Sequence, residues 1–221
     1  MAYFTEDYLA FFKELAANNH KQWFDANRKR YETTVREPFK SLITSIITEV
    51  QKIDSHFFLE PKDAIFRINR DIRFSKDKTP YKLFNSAIIS RTGRKDKSVP
   101  GMYLELNPER LAIFGGLYNP DKIQINRVRN YIMTHSDRLE SLLHEPAFHR
   151  TFGAIKGARY KRIPKEFQAP AMHHNLLYNK QWYYEASFAP QIMLQDNLLD
   201  FIMEQYRITL PVQEFFTKAI Q

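Results

Sequence analysis

Residues 66–82 read FRINRDIRFSKDKTPYK, and in their first half the spacing of apolar residues changes from that of the chain before them. Phe66, Ile68, Ile72 and Phe74 interleave with Arg67, Asn69, Asp71 and Arg73. A period of two is that of a strand with one wet face. Residues 76–82 then read as a loop stopped at Pro80. Outward from this strand, residues 83–90 suit a second one and residues 92–98 a polar turn. Met102, Leu104 and Leu106 alternate with Tyr103, Glu105 and Asn107 in a third. Asn107-Pro108-Glu109-Arg110 has turn chemistry, and residues 111–115 return as its hairpin partner. The expectation is a roughly four-stranded, mainly antiparallel sheet within residues 64–116.

Helical periods flank it. Thr5 is an expected N-cap, with Glu6 and Asp7 in the first turn. Tyr8, Leu9, Phe11, Phe12 and Leu15 follow as one stripe ending at Asn18-Asn19. A second apolar stripe runs from Trp23 to Val50, and Pro38 must kink it or begin a new helix. After Pro120 come stripes through Ile123, Val128, Tyr131 and Ile132, then Leu139, Leu142 and Leu143. Residues 158–171 form a basic, proline-bearing loop, 182–188 a short edge strand, and 197–206 a terminal helix. Helices over 1–53, sheet over 64–116 and helices over 120–221, without regular alternation, give a single α+β domain spanning 1–221.

The bulk composition narrows the function classes. There is no cysteine among 221 residues, which removes disulfides, thiolate nucleophiles and Cys-type zinc sites. The opening MAYFTED carries acids where a signal peptide carries Lys or Arg, and no run approaches the roughly 18 apolar residues of a membrane span. A cytoplasmic location with no membrane partner is the expectation. The net charge is +8, and between Arg67 and Lys97 ten cations face only Asp71, Asp77 and Asp96. Nearly the whole excess sits in that stretch, which favours an anionic partner. A smaller basic run holds Lys156, Arg159, Lys161, Arg162 and Lys165.

On the strand reading, Arg67, Asn69, Asp71 and Arg73 form one polar row about 7 Å apart. Two guanidiniums on one face can grip a phosphate or carboxylate. Asn69 adds a neutral donor, and Asp71 is the candidate base. Lys76, Lys78 and Lys82 follow in the loop, with Ser75 and Thr79 hydroxyls between them. The bland alternative is a solvated strand with surface ion pairs of little worth. Arg70 breaks the pattern. Alternation sends it to the apolar face, so it needs a buried carboxylate, with Glu105 and Asp63 as candidates, or a bulge. Gly115-Gly116 allows positive φ and close approach to a ligand, or simply a bend before Pro120. His144-Glu145 with His149 has the wrong spacing for a helical zinc pair, and no metal or cofactor is indicated.

The run 66–82 resembles the signature of an uncharacterised bacterial and fungal family, domain of unknown function 2461. Leu15-Ala16-Ala17-Asn18-Asn19 with Trp23, Phe24, Asn27 and Tyr31 is similar to that family's opening. Residues 100–106 and the Gly115-Gly116 segment resemble its middle, and Trp182-Tyr183 its C-terminal part. Tyr118 stands where Trp is more usual, and Ile72 where a smaller residue is common. The resemblance implies a shared identity without an activity. Position by position, its signature falls on Arg67, Asn69, Arg70, Asp71, Arg73, Lys76, Lys78, Tyr81 and Lys82.

Two functional expectations follow. In the first, a small ligand bearing phosphate or carboxylate is held by Arg67 and Arg73, with Lys76, Lys78 and Lys82 closing over it. Gly115 and Gly116 would form the opposite wall. Whether an enzyme acts on that ligand through Asp71 is left open by the residues. In the second, the basic runs bind nucleic acid and aromatic rings stack on its bases.

Overall fold

The computed structural model describes residues 2–221. It is an α+β protein with one four-stranded antiparallel sheet, and helices stand at both ends of the chain. The strands are β1 (Asn85–Ile89), β2 (Gly101–Leu106), β3 (Leu111–Leu117) and β4 (Trp182–Phe188), in the order β1-β2-β3-β4. The chain clusters into two compact units. The first comprises Met1–Ile89, Tyr103–Ala112 and Ser187–Met203; the second comprises Ser90–Met102, Ile113–Ala186 and Glu204–Gln221. Three of the five boundaries fall inside β2, β3 and β4, one at the end of β1 and one inside the terminal helix, Leu198–Ile220.

In the first unit, α1 (Glu6–Ala17) buries Tyr8, Leu9, Phe11, Phe12 and Leu15, the stripe its spacing announces. Asn18 closes it, donating from Nδ2 to the Glu14 carbonyl at 2.9 Å. A short helix, α2 (Lys21–Ala26), precedes α3 (Glu37–Ile53). Pro38 lies in the first turn of α3, where a missing N–H costs no helical bond. The preceding Tyr31–Arg36 winds as a π-helix, and Glu37 N–H donates to the Glu32 carbonyl five residues back. The seam between the two helical stripes is therefore a wide turn. Arg30 ties this region to α1, pairing with Asp7 at 2.6 Å and Glu14 at 2.7 Å. Buried Phe39, Leu42, Ile43, Ile46, Ile47 and Val50 line α3, which packs against β1.

The expected turn between β2 and β3 is present. Asn107 Oδ1 accepts the amides of Glu109 and Arg110 at 2.8 and 2.9 Å.

The second unit holds α4 (Lys122–Thr134), α5 (Ser136–Leu143) and α6 (Pro146–Phe152). Its core gathers Phe148 and Phe152 edge-on to Tyr184, with ring centroids at 5.1 and 5.2 Å. The terminal helix α7 (Leu198–Ile220) runs well beyond the expected 197–206 and carries Pro211 inside it. Val212, Phe215, Phe216 and Ala219 are buried, so an apolar face sustains the helix past a residue that usually ends one.

Residues 66–74 are not a strand. The segment meets β1 and its lead-in through isolated antiparallel bridges, Ile65 to Ala87 just before it and Asn69 to Tyr81 within it. Arg70 N–H donates to the Pro80 carbonyl at 2.8 Å, and Lys82 N–H to the Ile68 carbonyl at 2.8 Å. An antiparallel ladder continues only if Pro80 returns a hydrogen bond to Arg70, and proline has no N–H to give. Pairing stops there and the chain turns. The sheet reaches four strands with β4 in place of residues 66–74.

Candidate functional site

Residues 66–70 and 80–86 form an irregular hairpin arm, and residues 71–79 are its tip. The arm is anchored from α1's end. Asn19 Nδ2 donates to the Tyr81 carbonyl at 2.9 Å, while its Oδ1 accepts the Tyr81 amide at 3.1 Å. One asparagine side chain thus satisfies both backbone groups of Tyr81, much as a neighbouring strand would. The Tyr81 ring is buried and stacks on Phe24, with centroids 4.1 Å apart and planes 16° from parallel. Tyr81 is a packing anchor, not a group presented to a ligand. Sequence reasoning did not find the Asn19 clamp, because its signal is a lone asparagine 62 residues from its partner.

Arg70 holds the tip together. Its Nη1 pairs with Asp77 at 2.5 Å and donates to the Thr79 carbonyl at 3.1 Å and to the Thr79 hydroxyl, while Nη2 reaches Ser75 Oγ at 3.5 Å. The expected carboxylate partner was Glu105 or Asp63. Glu105 instead meets Arg110 at 3.5 Å, and the partner of Arg70 lies seven residues on in its own loop. Alternation misleads here because the segment is not a ladder. Asp77 also accepts the Thr79 amide at 2.9 Å, and these bonds hold its carboxyl at about 2, below the ordinary carboxylate range.

The remaining site residues are dispersed over this loop. Arg73 grips Asp71 in two-pronged fashion, Nε to Oδ1 at 2.9 Å and Nη2 to Oδ2 at 2.7 Å. The hydrogen bonds from Arg73 lower the Asp71 pKa, which makes its carboxylate a weaker base than an isolated one. Lys78 Nζ donates to the Ile72 carbonyl at 3.0 Å, and the Lys82 ammonium sits 5.4 Å from the Phe66 ring centroid. Arg67, Asn69 and Lys76 are exposed. Phe74 is 95% exposed, with the Arg73 guanidinium 5.8 Å from its ring centroid. Arg70 thus draws Ser75, Asp77 and Thr79 into one network, whereas Arg67 and Arg73 stand on open surface.

Gly115 and Gly116 belong to the second unit and are accounted for by packing. A Cβ at Gly115 would lie 2.3 Å from the Tyr184 hydroxyl, and one at Gly116 would lie 2.3 Å from the Trp182 carbonyl. Gly116 has φ of +94°. β4 fills the space in which a ligand wall was expected.

The second basic run is partly engaged. Lys156 pairs with Glu185 at 2.7 Å, and Arg159 donates to Asn175 and lies 5.4 Å from the Tyr178 ring centroid. A further cation was not singled out in the sequence. Arg129 on α4 is only 3% exposed, and no carboxylate pairs with it among the described residues. Its Nε donates to the Leu177 carbonyl at 2.8 Å, while Nη2 is buried without a partner. Tyr160 and Phe167 lie 5.1 and 5.5 Å from its guanidinium. Burial lowers its pKa. The helical stripe does carry a hint of this, since Arg129 follows Val128 and falls four residues after Ile125 and three before Ile132, on the buried face of α4.

No group of three or more His, Asp or Glu side chains suited to a metal ion occurs among the described residues. Nor is any helix among them long and apolar enough to cross a membrane.

Such a fold, with a cation-rich hairpin tip braced by its own arginine, defines an α+β protein whose exposed loop is its chemically distinctive part. The chain belongs to the family described as a conserved hypothetical protein, DUF2461, which matches residues 7–215. No curated protein matches it.

Proposed function

We propose that the protein binds single-stranded nucleic acid through the hairpin tip, residues 71–79, in the cytoplasm. The observation that carries this reading is Phe74, almost fully exposed on a loop whose backbone is tied by Arg70 and flanked by cations. An exposed phenylalanine costs solvation unless a partner covers it. A ring that bases can stack on, in a loop that also carries exposed Lys76 and Lys78 with exposed Arg67 in the adjoining arm for phosphates, is the arrangement that sequence-tolerant single-strand binding needs. The Arg73 guanidinium lies over one face of the Phe74 ring and adds positive charge there, leaving stacking to the other face. Bracing by Arg70 lowers the ordering cost on binding, because the loop is already folded back on itself.

The small-ligand reading at the same segment has less physical support. Small ligands need concave sites that bury most of their surface. Arg67 and Arg73 are exposed, and Arg73 is already taken by Asp71. The absence of cysteine supports the cytoplasmic part of the proposal.

The test is a titration of labelled single strands of about 12 nucleotides, followed by anisotropy across roughly 50 to 200 mM salt. Three cations on phosphates give an expected slope of log affinity against log salt of about −2. Lys76→Ala flattens that slope by about 0.7. Phe74→Ala weakens binding roughly five-fold or more, the low end of what one stacked base contributes. Salt-independent binding, or affinity untouched by Phe74→Ala, contradicts the proposal.

A further inference from the structure

The second unit carries a cleft of about 460 Å³, within the size range of small-molecule sites. One wall is the end of β3 and the start of α4, with Tyr118, Asp121 and Lys122. The other carries Tyr160, Lys180 and Gln181. That second wall is built by two antiparallel stretches. Lys156 bridges Tyr183 and Arg159 bridges Asn179, while Lys180 N–H donates to the Ala158 carbonyl at 2.7 Å and Tyr160 N–H to the Tyr178 carbonyl at 2.8 Å. Their closeness depends on Gly157, where a Cβ would lie 2.0 Å from the Gln181 carbonyl. The wall is therefore fixed in place by backbone pairing, and its side chains are presented on a defined frame.

Charge and rings in this cleft point one way. Its one acid, Asp121, is occupied as the N-cap of α4: the carboxylate accepts the Gln124 amide at 2.8 Å, and Gln124 Oε1 accepts the Asp121 amide at 2.9 Å. Lys122 and Lys180 supply two ammonium groups. The Lys180 ammonium lies 4.6 Å from the centroid of the Tyr160 ring, and the buried Arg129 guanidinium lies 5.1 Å from the same centroid. Arg129 makes no ion pair among the described residues, and Glu166 acts on it only through its charge, without a hydrogen bond. Two lysines, with a buried third cation against the same tyrosine ring, suit a phosphate, which accepts point charges from any direction. Tyr118, 57% exposed at the cleft and held against Tyr183 at 5.8 Å, offers a flat face for a ring.

We propose that this cleft is a second site, independent of the hairpin tip, for a small ligand that joins a phosphate to a flat ring and has the size of a mononucleotide. Its phosphate sits between Lys122 and Lys180, and its ring lies on Tyr118.

The test uses the full chain, isotopically labelled, titrated with adenosine 5′-monophosphate, adenosine and inorganic phosphate while backbone amide shifts are followed. Saturable shifts are expected with the monophosphate at residues 118–125, 158–160 and 180–181, with much weaker ones from adenosine or phosphate alone. Lys122→Ala and Lys180→Ala, both at exposed positions, each weaken monophosphate binding roughly tenfold. The proposal is overturned if the monophosphate leaves those amides unmoved, or if neither lysine variant changes its affinity. Shifts confined to residues 71–79 also overturn it, since the nucleotide is then captured by the tip. The wild-type shift map decides the matter even if a variant folds poorly.

Discussion

Arg70 is the residue on which the tip's conformation rests, and its bonds have a definite pH signature. Asp77 is the carboxylate it holds, with a pKa depressed from 3.8 to about 2 by the Thr79 amide, Arg70 and the Thr79 hydroxyl. A depressed carboxylate contributes order that is complete above its unfolded pKa and is lost as pH falls through the folded one. The loop is therefore expected to keep its Thr79 amide protection down to about pH 4 and to lose it as pH approaches 2. A carboxyl titration of Asp77 followed by NMR checks this; a midpoint at the ordinary value would show that the network does not form in solution. Asp77→Ala, which removes the acceptor, should free the Thr79 amide at every pH. At this scale the sequence marked Arg70 as anomalous for a sound reason, a cation out of step with its neighbours. It could not locate the partner, because that choice depends on a turn made seven residues later.

The hairpin arm depends on a side chain supplied by a distant turn. Asn19→Ala removes both bonds to the Tyr81 backbone and leaves those groups half-buried. The expected cost is about 1–3 kcal/mol, read as a lowered midpoint in denaturant. Glycines give a sharper contrast between elements. Gly116→Ala forces a Cβ against the Trp182 carbonyl at a φ of +94°. Gly153, at φ of +66°, has nothing within 4 Å of a built Cβ. Gly153→Ala is expected to cost about 1–3 kcal/mol from backbone conformation alone, and Gly116→Ala clearly more, because β4 must move as well. Equal losses in thermal or chemical unfolding would mean that β3 and β4 are not so closely packed. The sequence made β2, β3 and β4 legible through alternation and turn chemistry. It overextended that logic to residues 66–74, where alternation is real but the register slips by two residues between the Ile65–Ala87 and Asn69–Tyr81 bridges and Pro80 withholds the next bond.

For the whole molecule, helices around an antiparallel sheet were readable from the order of periodicities, since non-alternating elements leave few other classes. The division into two compact units was not readable. Most of its boundaries run through strands or the terminal helix, where no linker of distinctive composition marks them. The site was half legible: the charge concentration led to residues 66–82, but the exposure of Phe74 and the internal pairing of Arg73 and Arg70 depend on the fold. Those two facts turn an expected grip on a small anion into a proposed platform for a polymer. Ultraviolet cross-linking of a single-stranded oligonucleotide to the intact chain, followed by peptide mapping, tests that platform most directly. Cross-links on the peptide that contains Phe74, competed away by added salt, are the expected result. Cross-links elsewhere with none at the tip, or none at all at concentrations that saturate the protein, would contradict it.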